Sequence, residues 1–599
     1  MSVAKTRPVR VLRAEAIFDH RADGTIRVAS PRPLGPYPEK LTERLEHWAL
    51  QVPDRVFLAQ RDTDGAWRSI TYAQTLRQVH SVAQALLDRN LSASRPVAIL
   101  SGNSIEHALM ALGCMYAGVL YAPVAPAYSL ASAELTTLRY LWRQLAPALV
   151  FAAEGRVFEK ALGGVLDSST ELVTVSAPQS IRATSFEALL SKSASTVSST
   201  LASPAVAAAH ARVTADSIAK ILFTSGSTGT PKGVITTQRM LCSNQEMLRT
   251  VMGFLADEPP VLCDWLPWNH TFGGSHNFGI ALYNGGTLYI DEGKPTPKGF
   301  AATVRNLREI ATTVYFNVPK GYEMLVAELR LNPAFRRHFF SRVKVLFYAA
   351  AGLNQRVWDE LKQLATDTCG EEILMMTGLG ATESSPFALS TDMEGAASGR
   401  VGLPVPGVEL KLVPVENKLE ARLRGPNITP GFWRAPELTA AAFDEEGFYK
   451  LGDALIFADP ADPLKGFCFD GRLAEDFKLS TGTWVSVGPL RARILTALLG
   501  VAHEIVFAGA DRDYIAALVF LVPGASVTQL QDVLQEFARH STGMSVRVER
   551  ALVPEQPLSP DAGELTEKGT VNQRAVLRNR AALVEELYAG SARVIRIEI

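Results

Sequence analysis

The chain has 599 residues, of which 47% are hydrophobic and 20% are charged, so it is long enough for two or more folded domains and is not typical of a disordered protein. Its 60 Lys and Arg residues balance 61 Asp and Glu residues, and this near-neutral charge gives no support for binding to nucleic acid or to an anionic membrane surface. The five cysteines lie far apart and form no C-x-x-C pair, which argues against a disulfide framework or a zinc site and favours a reducing cytoplasm.

The first part of the chain alternates between helical and strand patterns. Apolar residues at helical spacing predict a helix over 71–88, and the apolar run 96–100 predicts a buried strand. Such alternation is typical of an α/β fold in which helices cover parallel sheets and ligand loops follow the strand ends. The N-terminus mixes basic and acidic residues without an apolar core of signal-peptide length, so we expect a cytoplasmic protein.

Residues 108–127 carry no charge over 20 positions, which is nominally long enough to cross a bilayer. Gly113, Gly118, Pro123 and Pro126 interrupt this run as they would interrupt a soluble helix–strand junction. We therefore predict a buried helix to about residue 116, a glycine turn and a short strand over 119–122, and no contact with a membrane.

The segment 191–217 is rich in serine and alanine and poor in large apolar side chains. This composition is typical of a surface connection rather than a packed core. We expect a mobile link that leads into the next strand.

That strand, Ile221 to Phe223, is followed by the sequence T-S-G-S-T-G-T-P-K-G at residues 224–233. Glycines allow backbone amides to converge on an anion, and hydroxyls and Lys232 add donors and charge, so the segment is typical of a nucleotide-phosphate loop. It differs from G-x-x-x-x-G-K-[ST], because two residues separate the second glycine from the lysine. The predicted nucleotide contacts are Thr224, Ser225, Gly226, Ser227, Thr228, Gly229 and Lys232.

With this motif, the chain resembles the adenylate-forming superfamily, which includes acyl-CoA synthetases, carrier-protein adenylation domains and luciferases. Three further segments match in order: G-L-G-A-T-E at 378–383, Y-K-L-G-D at 449–453, and G-R at 471–472. The resemblance covers most of the chain and implies ATP, Mg²⁺ and coenzyme A as cofactors. It also implies an α/β fold with a large N-terminal domain of several subdomains, residues 1–471, and a small mobile α+β C-terminal domain, residues 472–599.

The same resemblance implies roles for the matched polar residues. Glu383 would hold Mg²⁺ and Thr382 would meet the phosphates, although a threonine at this place could also simply cap a helix. Asp453 would accept hydrogen bonds from the ribose hydroxyls, and Arg472 would contact ribose or phosphate. The adenine would lie against small residues of the Y-A-A-A-G-L segment and the loop before Thr382, namely Ala351, Gly352 and Gly380.

Two positions depart from the family pattern. An aliphatic Leu379 stands where an aromatic residue usually stacks on adenine, and Ala474 stands where the family usually places an Asp or Lys hinge. Near the C-terminus, Lys568 is the lysine available in the segment 563–574, so the resemblance implies that it is the catalytic lysine. Lys478 is a lesser candidate, for contacts in the second half-reaction.

The segment W-L-P-W-N-H-T-F-G-G at 265–274 resembles the part of acyl- and aryl-CoA synthetases that places a histidine at the mouth of the acyl pocket, and it is most similar to feruloyl-CoA synthases. The predicted acid-binding residues are Trp268, His270, Phe272 and Phe278, of which His270 is also a predicted catalytic residue. Large aromatic residues in such a segment can equally belong to the core. Asn277 and Tyr322 are candidates to bind a phenolic hydroxyl.

The sequence therefore predicts an acid–CoA ligase that forms an acyl-adenylate from ferulate or a related hydroxycinnamic acid and then its CoA thioester. Alternatives are a medium- or long-chain fatty acyl-CoA synthetase, a protein that loads a carrier protein, a luciferase-like oxygenase, or a non-catalytic nucleotide-binding protein. The expected partners are a small carboxylic acid, ATP and CoA, with no nucleic acid or membrane, in a monomer or homodimer.

Overall fold

The structure is a computed structural model that describes residues 5–130, 134–194, 201–225, 231–393, 397–541, 543–559, 562–565 and 571–598. Within these ranges, no helix combines the length and the apolar character needed to cross a bilayer. The uncharged run 108–127 instead forms the helix Ile105–Ala117, a turn at Gly118 with φ of +69°, and the strand Tyr121–Pro123. The predicted helix, turn and strand are thus present, with the strand two residues later than expected.

A seven-stranded sheet carries the predicted phosphate-binding motif near one edge. Six of its strands are parallel and the edge strand Pro231–Thr237 runs antiparallel to Ile218–Ser225. In spatial order the strands are Thr184–Ser185, Glu171–Ser176, Leu149–Glu154, Val97–Ile99, Tyr121–Pro123, Ile218–Ser225 and Pro231–Thr237. The helix Tyr72–Leu87 packs against this part of the molecule and begins at a capping box made by Thr71, in agreement with the pattern that predicted it.

An eleven-stranded sheet contains the other nucleotide motifs. Its first three strands are parallel and the remainder pair antiparallel, so the sheet is mixed. In spatial order the strands are Val314–Asn317, Val345–Tyr348, Leu374–Leu379, Leu389–Ser390, Arg400–Pro404, Phe467–Arg472, Tyr449–Phe457, Lys418–Arg424, Glu409–Val415, Ile26–Ala29 and Ile17–His20.

The remaining strands form smaller sheets. One four-stranded sheet has the order Val261–Asp264, Thr287–Ile290, Val56–Arg61 and Trp67–Thr71. Another, near the C-terminus, has the order Ala502–Ala508, Ile515–Leu521, Val548–Leu552 and Ile595–Arg596. Two strand pairs complete the set: Lys5–Thr6 with Glu371–Glu372, and Phe477–Lys478 with Trp484–Val485.

Helices cover these sheets, as α/β patterning predicts. Those in the first half are Thr42–Gln51, Tyr72–Leu87, Ile105–Ala117, Pro126–Leu130, Thr136–Leu145, Gly155–Val165, Phe186–Ala194, Pro204–Arg212, Gln238–Val251, Phe254–Asp257 and Phe278–Tyr283. Those that follow are Phe300–Glu309, Pro319–Leu331, Pro333–Phe340, Gln355–Cys369, Pro436–Ala442, Val487–Ala497, Val527–Arg539, Gln573–Asn579 and Ala581–Ala589. A π-helix spans Phe272–Asn277, and 3₁₀ turns span Thr382–Ser384, Pro463–Lys465 and Met544–Val546.

The Ser/Ala-rich segment differs from the expected mobile link. Its second half forms the helix Pro204–Arg212, which begins at the side-chain cap of Ser203 and buries Val206 and His210. The His210 ring stacks on Tyr116 at 3.8 Å and accepts or donates a 2.8 Å hydrogen bond with Thr42. Alanine has the highest helix propensity, and one buried face is enough to dock a short helix, which a count of large apolar residues misses.

The part of the chain after residue 472 has apolar clusters of its own. One cluster includes Ile505, Val519 and Leu530, and a second lies on the other side of the same sheet around Val576 and Leu587. Helices on both faces of a small mixed sheet fit the α+β character expected there. The predicted division of the chain at residues 471 and 472 remains a prediction.

Candidate active site

The phosphate motif begins on a strand whose position the pairing fixes. Thr224 lies opposite Lys232 on the neighbouring antiparallel strand, and Ser225 lies opposite Pro231. The Thr224 Oγ1 atom is buried and has no hydrogen-bond partner among the described residues, so it is an available donor. The predicted contacts Gly226, Ser227, Thr228 and Gly229 fall in 226–230, outside the described residues.

Glu383 lies on a turn that buried amides hold in place. Asn244 and Asn427 both donate through Nδ2 to the carbonyl oxygens of Ser384 and Phe387, at 2.7–3.4 Å. At Gly380, which opens this loop, a Cβ atom would lie 1.4 Å from the Pro386 carbonyl oxygen, so no larger residue fits. Thr382 starts the 3₁₀ turn rather than capping a helix, because the N-cap position is Ala381.

The two motifs meet in an ion pair. Lys232 Nζ lies 2.7 Å from Glu383 Oε1, with 25% and 8% of the two side chains exposed. The Glu383 backbone carbonyl accepts a 2.8 Å hydrogen bond from Thr429 N, which fixes the turn against a third segment. The lysine predicted to bind phosphate and the carboxylate predicted to bind Mg²⁺ are thus adjacent.

The donor set suits Mg²⁺ bound together with a nucleotide. Among the described residues, no group of three or more His, Cys, Asp and Glu side chains could hold a metal ion. Mg²⁺ is commonly held by one or two carboxylates plus substrate phosphates, and it keeps several waters. The Glu383 carboxylate therefore fits a metal that arrives with ATP.

The ribose-binding candidates lie on adjacent strands of the eleven-stranded sheet. Asp453 pairs with Arg472 across the sheet, and Arg472 Nε lies 3.6 Å from Asp453 Oδ1. The Arg472 side chain is 66% exposed, whereas Asp453 is 16% exposed. The carboxylate is therefore held within the sheet while the guanidinium stays accessible to a ligand.

The predicted adenine segment leaves the buried strand Val345–Tyr348 as an exposed loop. Ala350 has a φ of +79°, which is strained for a residue with a Cβ atom. Ala351 and Gly352 are exposed, and a Cβ atom at Gly352 would contact nothing within 4 Å. The loop thus presents backbone and small side chains to the solvent, as a flat ligand requires.

A cleft of 1840 Å³ opens beside this loop, and its walls include His270, Phe272, Val318 and Gly352. Leu499, 59% exposed, also lines the cleft, although it lies after the predicted domain boundary. Lys232, Glu383 and Asp453 are outside the cleft lining. The cleft therefore joins two predicted acid-binding residues, His270 and Phe272, to one predicted adenine-binding residue, Gly352.

The wall that carries Phe272 is a π-helix, Phe272–Asn277. At Gly274 a Cβ atom would lie 2.1 Å from the Trp268 carbonyl oxygen, which explains the glycine at this position. Lys220 Nζ donates to the Gly274 carbonyl at 2.8 Å, and Gln245 Nε2 donates to the Ser275 and His276 carbonyls at 2.8 and 3.2 Å. Buried side chains thus satisfy carbonyl groups of the π-helix, and burial lowers the pKa of Lys220 to about 7.

The same π-helix ends in a buried polar chain. Asn277 Nδ2 donates to Asp264 Oδ2 at 2.9 Å, which leaves Asn277 Oδ1 to accept from His276 Nδ1 at 2.7 Å. Burial lowers the pKa of His276 to about 4 and raises the pKa of Asp264 to about 7. His276 is therefore neutral at physiological pH, with its proton on Nδ1.

Several predicted acid-binding residues lie away from the cleft. Trp268 and Phe278 are each 5% exposed and pack against one another at 5.0 Å, beside a separate small cavity, so they belong to the core. Asn277 is engaged by Asp264 and His276, and the Tyr322 hydroxyl donates to the backbone carbonyls of Tyr315 and Phe347. Aromatic density alone could not separate wall residues from core residues.

The buried polar residues Lys220 and Asp264, which lie next to the π-helix, were not identified from the sequence, although each is a charged residue in an apolar strand. Lys220 is a single charge inside the apolar strand Ile218–Ser225, and Asp264 ends the apolar strand Val261–Asp264. A charged residue in a buried strand is rare unless it is paired or bound, so each position could have been singled out.

Asp264→Asn should change the pH dependence of stability. Because the folded-state pKa of Asp264 is about 7 and the ordinary value is 3.8, the native protein binds the proton more tightly, and stability falls as pH rises between these values. The variant lacks this loss, so its free energy of unfolding relative to the wild type should increase by about 2 to 3 kcal/mol from pH 5 to pH 7.5. Urea unfolding at the two pH values measures the difference.

The matched control is Asp216→Asn. The exposed Asp216 carboxylate accepts hydrogen bonds from Arg239, which lower its pKa, so it is ionised throughout this range. Its free energy of unfolding should differ from that of the wild type by the same amount at pH 5 and pH 7.5. The prediction would be contradicted if the difference between Asp264→Asn and the wild type also stayed the same at the two pH values.

Of the two lysines predicted near the C-terminus, Lys478 lies among the described residues and Lys568 does not. Lys568 lies in 566–570, outside the described residues. Lys478 is exposed, and its Nζ lies 5.5 Å from the centre of the Trp484 ring. The role of each remains a prediction.

Comparison with known proteins agrees with this architecture. A 3-hydroxybenzoate–CoA ligase from Aromatoleum sp. (strain CIB) is 25% identical over 488 residues, covering 79% of this chain and 85% of that protein. A carboxylic acid reductase from Mycobacterium marinum is 24% identical over 639 residues, covering 95% of this chain but 51% of the reductase, so the chain spans about half of that relative. The matches support the superfamily, whereas the narrower resemblance to feruloyl-CoA synthases stays a proposal.

Among solved structures, an anthranilate–CoA ligase in complex with anthranoyl-AMP matches with a TM-score of 0.71 and 19% identity, over 93% of this chain and 99% of that one. This likeness confirms the predicted α/β class with a large N-terminal part and a small C-terminal part. The predicted ATP, Mg²⁺ and coenzyme A also agree with the family, and three of the similar solved structures hold ATP. The family profile described as "AMP-binding enzyme" matches residues 45–433, and the chain belongs to this family.

Proposed function

We propose that the protein is an ATP-dependent acid–CoA ligase that acts on an aromatic acid, in particular a hydroxycinnamic acid such as ferulate. The observation that carries the proposal is the 2.7 Å contact between Lys232 and Glu383, which places a phosphate-binding cation beside a carboxylate suited to Mg²⁺. The cleft bounded by His270 and Phe272 would provide the site for the acid.

In the first half-reaction, a carboxylate oxygen of the acid attacks the α-phosphorus of ATP and pyrophosphate leaves. Both reactants are anionic, so catalysis is chiefly the positioning of positive charge around an in-line displacement. Lys232 and Lys568 would neutralise the phosphates, Thr224 and Thr382 would donate hydrogen bonds, and Asp453 and Arg472 would hold the ribose. Mg²⁺ on Glu383 would neutralise the developing pyrophosphate.

In the second half-reaction, the CoA thiol sulfur attacks the acyl carbon of the adenylate, the carbon–oxygen bond to phosphate breaks, and AMP leaves. His270 lies on the wall of the cleft, where it would orient the carboxylate end of the acid. Leu499, which follows the predicted domain boundary, lines the same cleft, so the thiol would approach beside the C-terminal part of the chain.

The aromatic character of the substrate is inferred from the residues behind the cleft wall. Phe272 lies on the wall, and the rings of His276, Phe316 and Phe347 lie 5.3 to 6.4 Å from it. Flat, buried rings favour a planar conjugated acid over a flexible chain. The similarity to a hydroxybenzoate–CoA ligase supports the same class of substrate.

A pyrophosphate-release screen over carboxylic acids, with and without CoA, tests the proposal. We expect ferulate or a related hydroxycinnamate to give a kcat/KM about ten- to two-hundredfold above benzoate or octanoate, because a three-carbon spacer carries the ring deeper and leaves less unfilled volume. A preference for octanoate would favour the fatty acyl-CoA synthetase alternative. No release with any acid would favour a non-catalytic nucleotide-binding protein.

One observation favours a second function. The match to a carboxylic acid reductase covers 95% of this chain, and a solved reductase fragment that joins the adenylation domain to a carrier domain matches with a TM-score of 0.69. The acyl group could therefore pass to a carrier-bound phosphopantetheine instead of free CoA. This alternative would be supported if pyrophosphate were released without CoA or a carrier, and if the acyl group were then transferred to a phosphopantetheine-loaded carrier but not to CoA.

A further inference from the structure

Two aromatic side chains lie under the Lys232–Glu383 ion pair, and neither has a role in the proposed function. Phe432 and Tyr449 are 4% and 5% exposed, and together with Val234 they form a small apolar cluster separate from the main core. The cluster therefore lies directly beneath the phosphate-binding lysine and the metal-binding carboxylate.

Phe432 contacts the lysine. Lys232 Nζ lies 4.3 Å from the centre of the Phe432 ring, within the range of a cation–π interaction. The ring cannot shift easily, because Trp433 N donates to the Gly233 carbonyl at 2.7 Å and Ile235 N donates to the Gly431 carbonyl at 3.1 Å. These backbone bonds hold the segment around Phe432 against the strand that carries Lys232.

Tyr449 contacts the carboxylate. Its phenol lies close enough to Glu383 for that charge to raise the pKa of the phenol, in addition to the larger effect of burial. Tyr449 lies on the strand Tyr449–Phe457, which also carries Asp453. The carboxylate is thus linked to the strand that carries the predicted ribose ligand.

We propose that Phe432 and Tyr449 are positioning residues for Mg²⁺-ATP, Phe432 holding the Lys232 ammonium and Tyr449 holding the Glu383 carboxylate when these two groups separate to meet the phosphates and the metal. This inference rests on the proposed function, because it assigns the metal and the phosphates to this ion pair.

The physical reason is an exchange of partners. In the structure, Lys232 and Glu383 neutralise each other, whereas with the nucleotide bound each must face a ligand of opposite charge. A long side chain that loses its partner gains rotamer freedom, and that entropy is lost again when the ligand binds. A second, fixed contact for each side chain keeps both groups pointing at the ligand and lowers this cost.

The test compares three variants by calorimetric binding of α,β-methylene ATP, a nucleotide that does not release pyrophosphate. Phe432→Leu removes the ring face but keeps an apolar side chain, and Phe432→Tyr restores a ring. Tyr449→Phe removes one hydroxyl. The matched control is Phe443→Leu, because Phe443 packs against Tyr449 at 5.6 Å in the same cluster.

We expect Phe432→Leu to weaken binding of the analogue about three- to tenfold, with or without Mg²⁺, and Phe432→Tyr to restore it. Tyr449→Phe should raise the Mg²⁺ concentration for half-maximal binding about three- to tenfold and leave binding in EDTA unchanged. Phe443→Leu should match the wild type in both measurements.

Wild-type affinity in Phe432→Leu, or an unchanged Mg²⁺ dependence in Tyr449→Phe, would overturn the proposal. Equal losses in Phe432→Leu and Phe432→Tyr would also overturn it, because they would indicate a packing role alone. Binding of the analogue is measured without an acid or CoA, so a failure of the wild type to act on any acid would contradict the proposed function while leaving this test decisive.

Discussion

Lys568→Ala should slow ATP-dependent pyrophosphate release about 10²- to 10³-fold, while ATP still binds and a pre-made acyl-adenylate is still converted to the thioester at a near-normal rate. The reason is that a positive charge aimed at the reacting phosphate stabilises the transition state far more than the ground state, and removing one such donor commonly costs this factor. The resemblance implies that Lys568 acts in adenylation and not in thioester formation.

The two half-reactions are measured separately, by pyrophosphate release under saturating substrates and by thioester formation from a synthetic adenylate with CoA. Lys478→Ala is the matched control, because Lys478 is an exposed lysine in the same part of the chain and is a candidate for contacts in the second half-reaction only. It should leave pyrophosphate release unchanged. Wild-type release by Lys568→Ala would contradict the assignment of the catalytic lysine.

Much of the fold was predictable because its patterns are local. The helix Tyr72–Leu87 follows from the helical spacing of apolar residues over 71–88, and the strand Ile218–Ser225 contains the apolar run Ile221 to Phe223 that predicted a strand. The helix Pro204–Arg212 was missed because a count of large apolar residues overlooks alanine and the Ser203 cap, and because its docking depends on stacking and hydrogen bonds to Tyr116 and Thr42. Tertiary contacts of this kind leave no local signature.

Sequence motifs identified candidate site residues, but they could not show which aromatic residues packing places in the core and which line the cleft. Lys232 and Glu383 were identified from their motifs, and the structure brings them within 2.7 Å. Trp268 and Phe272 belong to one aromatic motif, yet one is in the core and the other lines the cleft. The difference comes from the π-helix that begins at Phe272, and its supporting contact from Lys220 is distant in sequence.

A buried ion pair crosses the predicted domain boundary, and its loss should be strongly destabilising. Lys418 Nζ lies 2.5 Å from Asp476 Oδ2, with 4% and 5% of the side chains exposed. Lys418 Nζ also donates to the Asp470 carbonyl at 2.5 Å, and Asp476 Oδ1 accepts from Val487 N at 2.9 Å. Both charges are therefore fully compensated by buried partners.

Asp476→Asn should lower the free energy of unfolding by about 3 to 5 kcal/mol, because it removes the nearer counter-charge of the buried Lys418 ammonium and leaves only the Asp470 carboxylate, whose Oδ2 lies 3.8 Å away. Lys418→Met should cost a similar amount for the opposite reason. The double variant should lose much less than the sum of the two, since the Lys418 ammonium and the Asp476 carboxylate are then both absent.

Urea unfolding measures the three variants, and the exposed pair of Arg239 and Asp216 supplies the control. Asp216 is 78% exposed, so Asp216→Asn should change stability by less than about 1 kcal/mol. Because Lys418 and Asp476 lie on opposite sides of the predicted boundary, Asp476→Asn should also speed proteolytic cleavage in the segment 471–478. A stability within about 1 kcal/mol of the wild type, with unchanged cleavage, would show that the pair does not couple the two parts of the chain.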